Sequence, residues 1–183
     1  MKVLITLLLC TLIIGTGNTQ ENNIETKSVD IDNLISFVVG NYSAEELEDR
    51  NITFLIQVKQ DKLNGENLIL LRQGFKLISE RLSQESKLSI ATYSKFNGIA
   101  LQPTNAKEEK LILHTLNDLK GSIAEFYSDG INLAYQHADQ NYEPDMANTL
   151  VMIRASHKAK NDIVNVDNEE KKLKKKLELL KVF

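Results

Sequence analysis

The sequence predicts a three-layer α/β fold, one sheet with helices on both of its faces. Three observations carry this. Residues 51–56 (NITFLI) are apolar on both alternating sides: Ile52, Phe54 and Ile56 point one way, Thr53, Leu55 and Gln57 the other. That suits a central strand covered on both faces. Residues 150–153 form an unbroken apolar run of the same kind. Between these two, short strand patterns alternate with amphipathic helical ones, the order expected of an α/β sheet.

The chain has 183 residues, 42% of them hydrophobic, and a formal net charge of -3. This is enough for one domain with a substantial core. The near-neutral balance gives no argument for nucleic acid or membrane-surface binding. Residues 1–19 read as a secretory signal: Lys2, then an apolar run over 3–14, then small residues around Gly15 and Gly17. The run is too short for a span of roughly 20 residues. Cleavage is expected between Gly17 and Thr19. The single cysteine, Cys10, lies inside the run behind Leu9, where a lipoprotein signal needs a small residue. The mature chain then carries no disulfide although it is exported, periplasmic or secreted. Its Asn-, Lys- and Ile-rich composition points to a bacterium.

Residues 20–50 read as an extension with short helices. Residues 20–30 are polar and expected to be mobile. Ile31, Leu34, Ile35 and Val38 have helical spacing up to Gly40, and Ser43 with Glu46 has capping-box spacing for a second helix. Asn41 and Asn51 sit in glycosylation sequons. After the central strand comes a turn at Leu63-Asn64-Gly65. Residues 66–83 then form a helix with Leu68, Leu71, Phe75, Ile78 and Leu82 in one stripe. Residues 87–93 alternate as a second strand. A two-residue Asn97-Gly98 turn leads antiparallel into a third strand over 99–102, ended by Pro103. Residues 107–119 read as a helix facing inward through Leu111, Ile112, Leu116 and Leu119. A loop over 121–129 precedes a helix over 130–140 with Ile131, Ala134, Tyr135 and Ala138 on its face. The fourth strand is 148–154. Residues 169–181 read as a last helix with Leu173, Leu177 and Leu180 in line.

Several of these blocks together resemble a bacterial von Willebrand factor type A (vWA) domain: NITFLI as its first strand, LILLRQGFKLI (68–78) as its first helix, KLSIATY (87–93) and GIALQPT (98–104) as the hairpin. GINLAY (130–135) resembles the helix after its metal loop and NTLVMI (148–153) its fourth strand. The likeness covers residues 51–183 and implies a Rossmann-like sheet. Such domains hold Mg²⁺ or a similar cation at a metal-ion-dependent adhesion site. An Asp-x-Ser-x-Ser motif ends the first strand, a Thr lies in the loop before the Gly-Ile helix, and an Asp ends the fourth strand. Hard cations need several such oxygens.

At the matching positions stand Gln57, Lys59 and Asp61, then Ala124 or Glu125, then Arg154-Ala155-Ser156. Two fixed positive charges, Lys59 and Arg154, replace acceptors, so the resemblance implies a degenerate site without metal or other cofactor. Two readings stay open. Lys59 or Arg154 stands in for the ion and pairs with Asp61 or Glu125, or these are solvated loop charges. The family fold continues with a fifth strand, a helix and a sixth strand. Here 182–183 look like the start of the fifth, so the domain is expected to be shortened after its last helix. The fourth strand is then expected to be an open edge, which another chain could complete.

Little else suggests chemistry. His114, His137 and His157 lack metal-ligand spacing and read as helix-surface or loop residues. Ser156-His157 lacks a nucleophile elbow. No phosphate loop or dinucleotide fingerprint occurs. The lysines at 171, 172, 174, 175 and 176 read as a solvated helix face, diluted by Asp167, Glu169 and Glu170. The expectation is therefore a non-enzymatic exported module that binds protein, with no nucleic-acid partner and no membrane span after signal cleavage. The alternative is a metal-dependent adhesion domain using a rearranged site around Asp61 and Glu125.

Overall fold

The computed structural model describes residues 22–43, 48–61 and 63–155. The signal expected over 1–19, the helix expected after Ser43, Ser156-His157 and the helix expected over 169–181 lie outside the described residues. Within them runs a five-stranded sheet: β1 (Glu25–Asp30), β2 (Arg50–Val58), β3 (Lys87–Ser94), β4 (Gly98–Asn105) and β5 (Ala147–Arg154). The order is β1-β5-β2-β3-β4, all neighbours parallel except the β3–β4 hairpin. The three-layer α/β expectation holds.

One face carries a 3-10 turn (Ile31–Asn33) that runs into α1 (Leu34–Asn41), then α2 (Gly65–Arg81) and α3 (Glu109–Asn117). Its core is built of large side chains. Ile52, Phe54, Ile56 and Val58 of β2 meet Leu71, Phe75 and Ile78 of α2, and the Phe54 and Phe75 rings lie 4.7 Å apart between centroids. The α2 stripe expected from spacing is buried from Leu71 onward. Asn64 caps its start by accepting from the Asn67 N–H at 2.7 Å. Leu111 departs from expectation: it is exposed, and Thr115 is buried beside Ile112 and Leu116 instead.

The opposite face carries only α4 (Gly130–Gln140) among the described residues. Its core is small: Leu55, Ala91, Ala134, Ala138 and Leu150. Gly130 opens the helix against β3, where a Cβ would stand 2.5 Å from the Thr92 carbonyl oxygen and 2.9 Å from the Tyr93 Cβ. The approach is therefore close, and it rotates the helix relative to the sequence expectation. Ala134, His137 and Ala138 face the sheet, whereas Ile131 and Tyr135 are exposed. His137, expected on a surface, is 6% exposed.

Two further expectations are corrected. Residues 25–30, expected to be mobile, are strand β1, paired in parallel with β5 from Glu25–Thr149 to Asp30–Arg154. The fourth strand of the sequence reading, β5, is consequently no edge: β1 of the same chain takes the N–H and C=O groups that were expected to await another chain. The second concerns the hairpin. It is antiparallel as expected, but Gly98 already pairs with Thr92 and the turn is 95–97, with Ser94 at φ 90°. The sequon at Asn51 is also folded inside. Its amide donates to the Asn141 carbonyl and to Asn148 Oδ1, and the residue is 8% exposed.

Candidate functional site

The carboxyl ends of parallel strands are where an open α/β sheet presents ligand groups. Here β1, β2, β3 and β5 end together, and the sequence-derived residues gather at that rim. Gln57 is half-buried, and its Oε1 accepts from the Ala155 N–H at 3.1 Å. The first and last positions of the resembled motif therefore touch, but as a clip between β2 and β5. The acceptor oxygen that would face a cation is already engaged.

The remaining positions do not converge. Arg154 Nε lies 3.0 Å from Asp30 Oδ1, its register partner on β1. Asp61 faces Lys120 at 3.6 Å, with both side chains more than half exposed. Glu125 is exposed, and its Oε2 accepts from the Tyr127 hydroxyl at 2.9 Å. Of the two open readings, the one that pairs Arg154 with Asp61 or Glu125 is thus corrected for Arg154: Asp30 takes the guanidinium, because β1 fills the place beside β5. Lys59 is exposed just beyond β2. Among the described residues no group of three or more His, Cys, Asp or Glu is placed to hold a metal ion.

Beside this rim lies a rigidly held loop, 121–129, whose role the spacing did not disclose. Asn97 organises it. Its Nδ2 donates to the carbonyls of Tyr127 at 3.1 Å and Ser128 at 3.0 Å, and its Oδ1 accepts from the Ser94 N–H at 3.1 Å. Its own carbonyl accepts from the Tyr127 N–H at 3.0 Å. Gly98 lets the loop come close: a Cβ there would strike the Ile123 side chain and stand 2.9 Å from the Glu125 carbonyl oxygen. Asp129 then caps α4 by accepting from the N–H groups of Ile131 and Asn132. The backbone is pinned at both ends, yet Phe126 and Tyr127 are 55% and 44% exposed, with Ile131 40% exposed one turn on. The Asn97-Gly98 pair was the only sequence signal for this arrangement, and it speaks for a turn rather than for a bond to residues thirty positions away.

Among the described residues four groups have shifted proton affinity, and one of them, Tyr42, lies away from this rim and is raised by burial. The hydrogen bond to Glu125 raises the Tyr127 phenol above its usual range. Burial raises Tyr93, against the opposing charge of Arg154. Burial lowers His137, which lines a cavity of about 510 Å³ with Gln102, Gln136 and Gln140. A second cleft of about 300 Å³ lies under the rim between α2 and α3. Val58, Leu68, Phe96 and Leu116 line it, and Asp61 and Lys120 stand at its mouth. Neither cavity assembles an acid, a base and a nucleophile within reach of one another, as a hydrolytic site needs. No helix among the described residues is long and apolar enough to cross a membrane. No protein-family model matches the chain, and no curated protein is detectably similar to it.

Proposed function

We propose that the chain is an exported, non-enzymatic protein-interaction module, a degenerate vWA domain that binds its partner without a metal ion. The observation that carries the reading is the loop over 121–129. It displays Phe126 and Tyr127 on a backbone held by Asn97 and by the Asp129 cap. Exposed aromatic groups on a rigid support make strong binding anchors, because little conformational freedom is lost on association. The use of Gln57 as a β2–β5 clip, and of Arg154 as a partner to Asp30, fits a rim whose groups serve the sheet.

The test is capture from an envelope fraction followed by titration of the recovered protein. Phe126→Ala combined with Tyr127→Ala leaves the Asn97 bonds intact, because those bonds use backbone atoms of the loop. The pair is expected to weaken binding by about 2 kcal/mol or more, as for interface anchors generally, without lowering the melting temperature. Undiminished affinity in the double variant, or affinity that requires Mg²⁺, would defeat the reading.

A further inference from the structure

On its side toward β4, α4 carries Leu133, Gln136, His137 and Gln140, spaced i, i+3, i+4 and i+7. That spacing puts them on one stripe of the helix. A stripe packed against another element would be apolar, and this one is polar at three of its four positions. Ile99 and Gln102 of β4 stand across from it, and Asn141 follows the helix. Together they bound a cavity of about 510 Å³, within the roughly 300–1,000 Å³ of small-molecule sites. Tyr127 forms a further wall. Its backbone is tied to Asn97 and its hydroxyl donates to Glu125, so the ring is held at both ends.

The chemistry of these walls selects a ligand. Gln102, Gln136 and Gln140 are exposed, and each amide both donates and accepts. His137 is 6% exposed, with Nδ1 3.4 Å from Asn141 Nδ2 and with no hydrogen-bond partner for Nε2 among the described residues. Among the described residues no Lys, Arg, Asp or Glu lines the cavity. A phosphate or carboxylate ligand would therefore meet no cation, and Glu125 beside Tyr127 would oppose it. A purely apolar ligand would strip water from the amides and return no hydrogen bond. An uncharged sugar meets both conditions, since its hydroxyls donate and accept while its C–H face is apolar. We propose that this cavity binds a neutral saccharide, with the Tyr127 ring against a sugar face and the amides of Gln102, Gln136 and Gln140 on its hydroxyls. Ile99 and Leu133, both half-buried, supply the rest of the apolar contact. The site does not involve Phe126, so it stands or falls separately from the protein-binding reading.

Calorimetric titration of the full chain tests this, with maltotriose, cellotriose and the N-acetylglucosamine trimer as neutral probes. Trigalacturonate and adenosine serve as the charged and the aromatic counterparts. At least one neutral trisaccharide is expected to bind saturably, and both counterparts at least tenfold more weakly. Gln136→Leu combined with Gln140→Leu is expected to weaken the sugar at least tenfold, because the hydroxyls lose their partners. The melting temperature is expected to stay unchanged, since both side chains are exposed. Gln73→Leu, the same change at an exposed position of α2, is expected to leave binding as it was. So is Phe126→Ala, which separates this site from the anchor proposed for protein. Failure of all three neutral sugars to bind overturns the proposal. So does binding of trigalacturonate or adenosine as tight as that of the sugars, or an affinity that the paired glutamine change leaves unaltered.

Discussion

The two faces of the sheet solve the same packing problem with different materials. On the α1–α3 face, helices stand off the sheet on Phe54, Phe75, Ile78, Leu88 and Ile90, all fully buried. On the α4 face, one helix lies close against Ala91, Leu55 and Leu150 through Ala134 and Ala138. Large side chains give stability by area removed from water, and small ones give it by allowing close approach. The first face is therefore sensitive to deletion and the second to insertion.

That contrast sets the largest expected effect. Phe75→Ala removes a ring packed at a tilt of 59° against Phe54 from a site with no exposure, and is expected to cost about 3–5 kcal/mol in urea unfolding. Ala134→Leu adds volume under α4 where Gly130 already sets a close helix–sheet distance, and is expected to cost about 1–3 kcal/mol. The informative control is the exchange of types. If Ala134→Leu stabilises the protein, the α4 face holds spare volume and the comparison fails.

The same contrast explains what the sequence disclosed. Strands β2 and β5 announce themselves because both their faces are buried, and α2 because one stripe meets large partners. β1 does not, since Val29 is its only buried residue and its pairing rests on backbone groups that any sequence supplies. The orientation of α4 was misjudged for a related reason. Hydrophobicity places Ile131 and Tyr135 inside, whereas Gly130, Ala134, His137 and Ala138 are the residues buried there. At the rim, Gln57 and Ala155 were legible as positions in a motif, and they do meet. Arg154's partner was not legible, because Asp30 lies in a stretch that carries no strand pattern. Nor was the grip of Asn97 on Tyr127 and Ser128, since a long-range hydrogen bond leaves no periodic trace.

A smaller effect separates the faces by pH. His137 is the buried titratable group of the α4 face, and burial lowers its pKa. Above the ordinary histidine value of about 6.5 it is neutral both folded and unfolded, so its contribution is constant. Below that value the unfolded chain takes up a proton and the folded chain does not. Stability therefore falls with pH, by at most about 1.4 kcal/mol per unit, until the lowered folded-state pKa is reached. Urea unfolding between pH 7.5 and 5 is expected to show this slope, and His137→Gln to remove it. A slope that persists in the variant would assign the titration to another group.

The smallest expected effect is at the rim, where the resemblance implies a degenerate site. Glu125 is exposed and accepts from the Tyr127 hydroxyl, while Asp61 and Lys120 are a solvated pair 3.6 Å apart. Such contacts contribute about 0–1 kcal/mol. Glu125→Ala is expected to change stability by no more than that, because its removal strands no buried charge. The melting temperature is expected to be the same in EDTA and in excess Mg²⁺, since a ligand that binds only the folded state would raise it by mass action. A Mg²⁺-dependent rise abolished by Asp61→Ala would restore a cation site at this rim. It would also mean that Gln57 leaves Ala155 to make one, which a break in the β2–β5 clip would reveal in the exchange of the Ala155 amide.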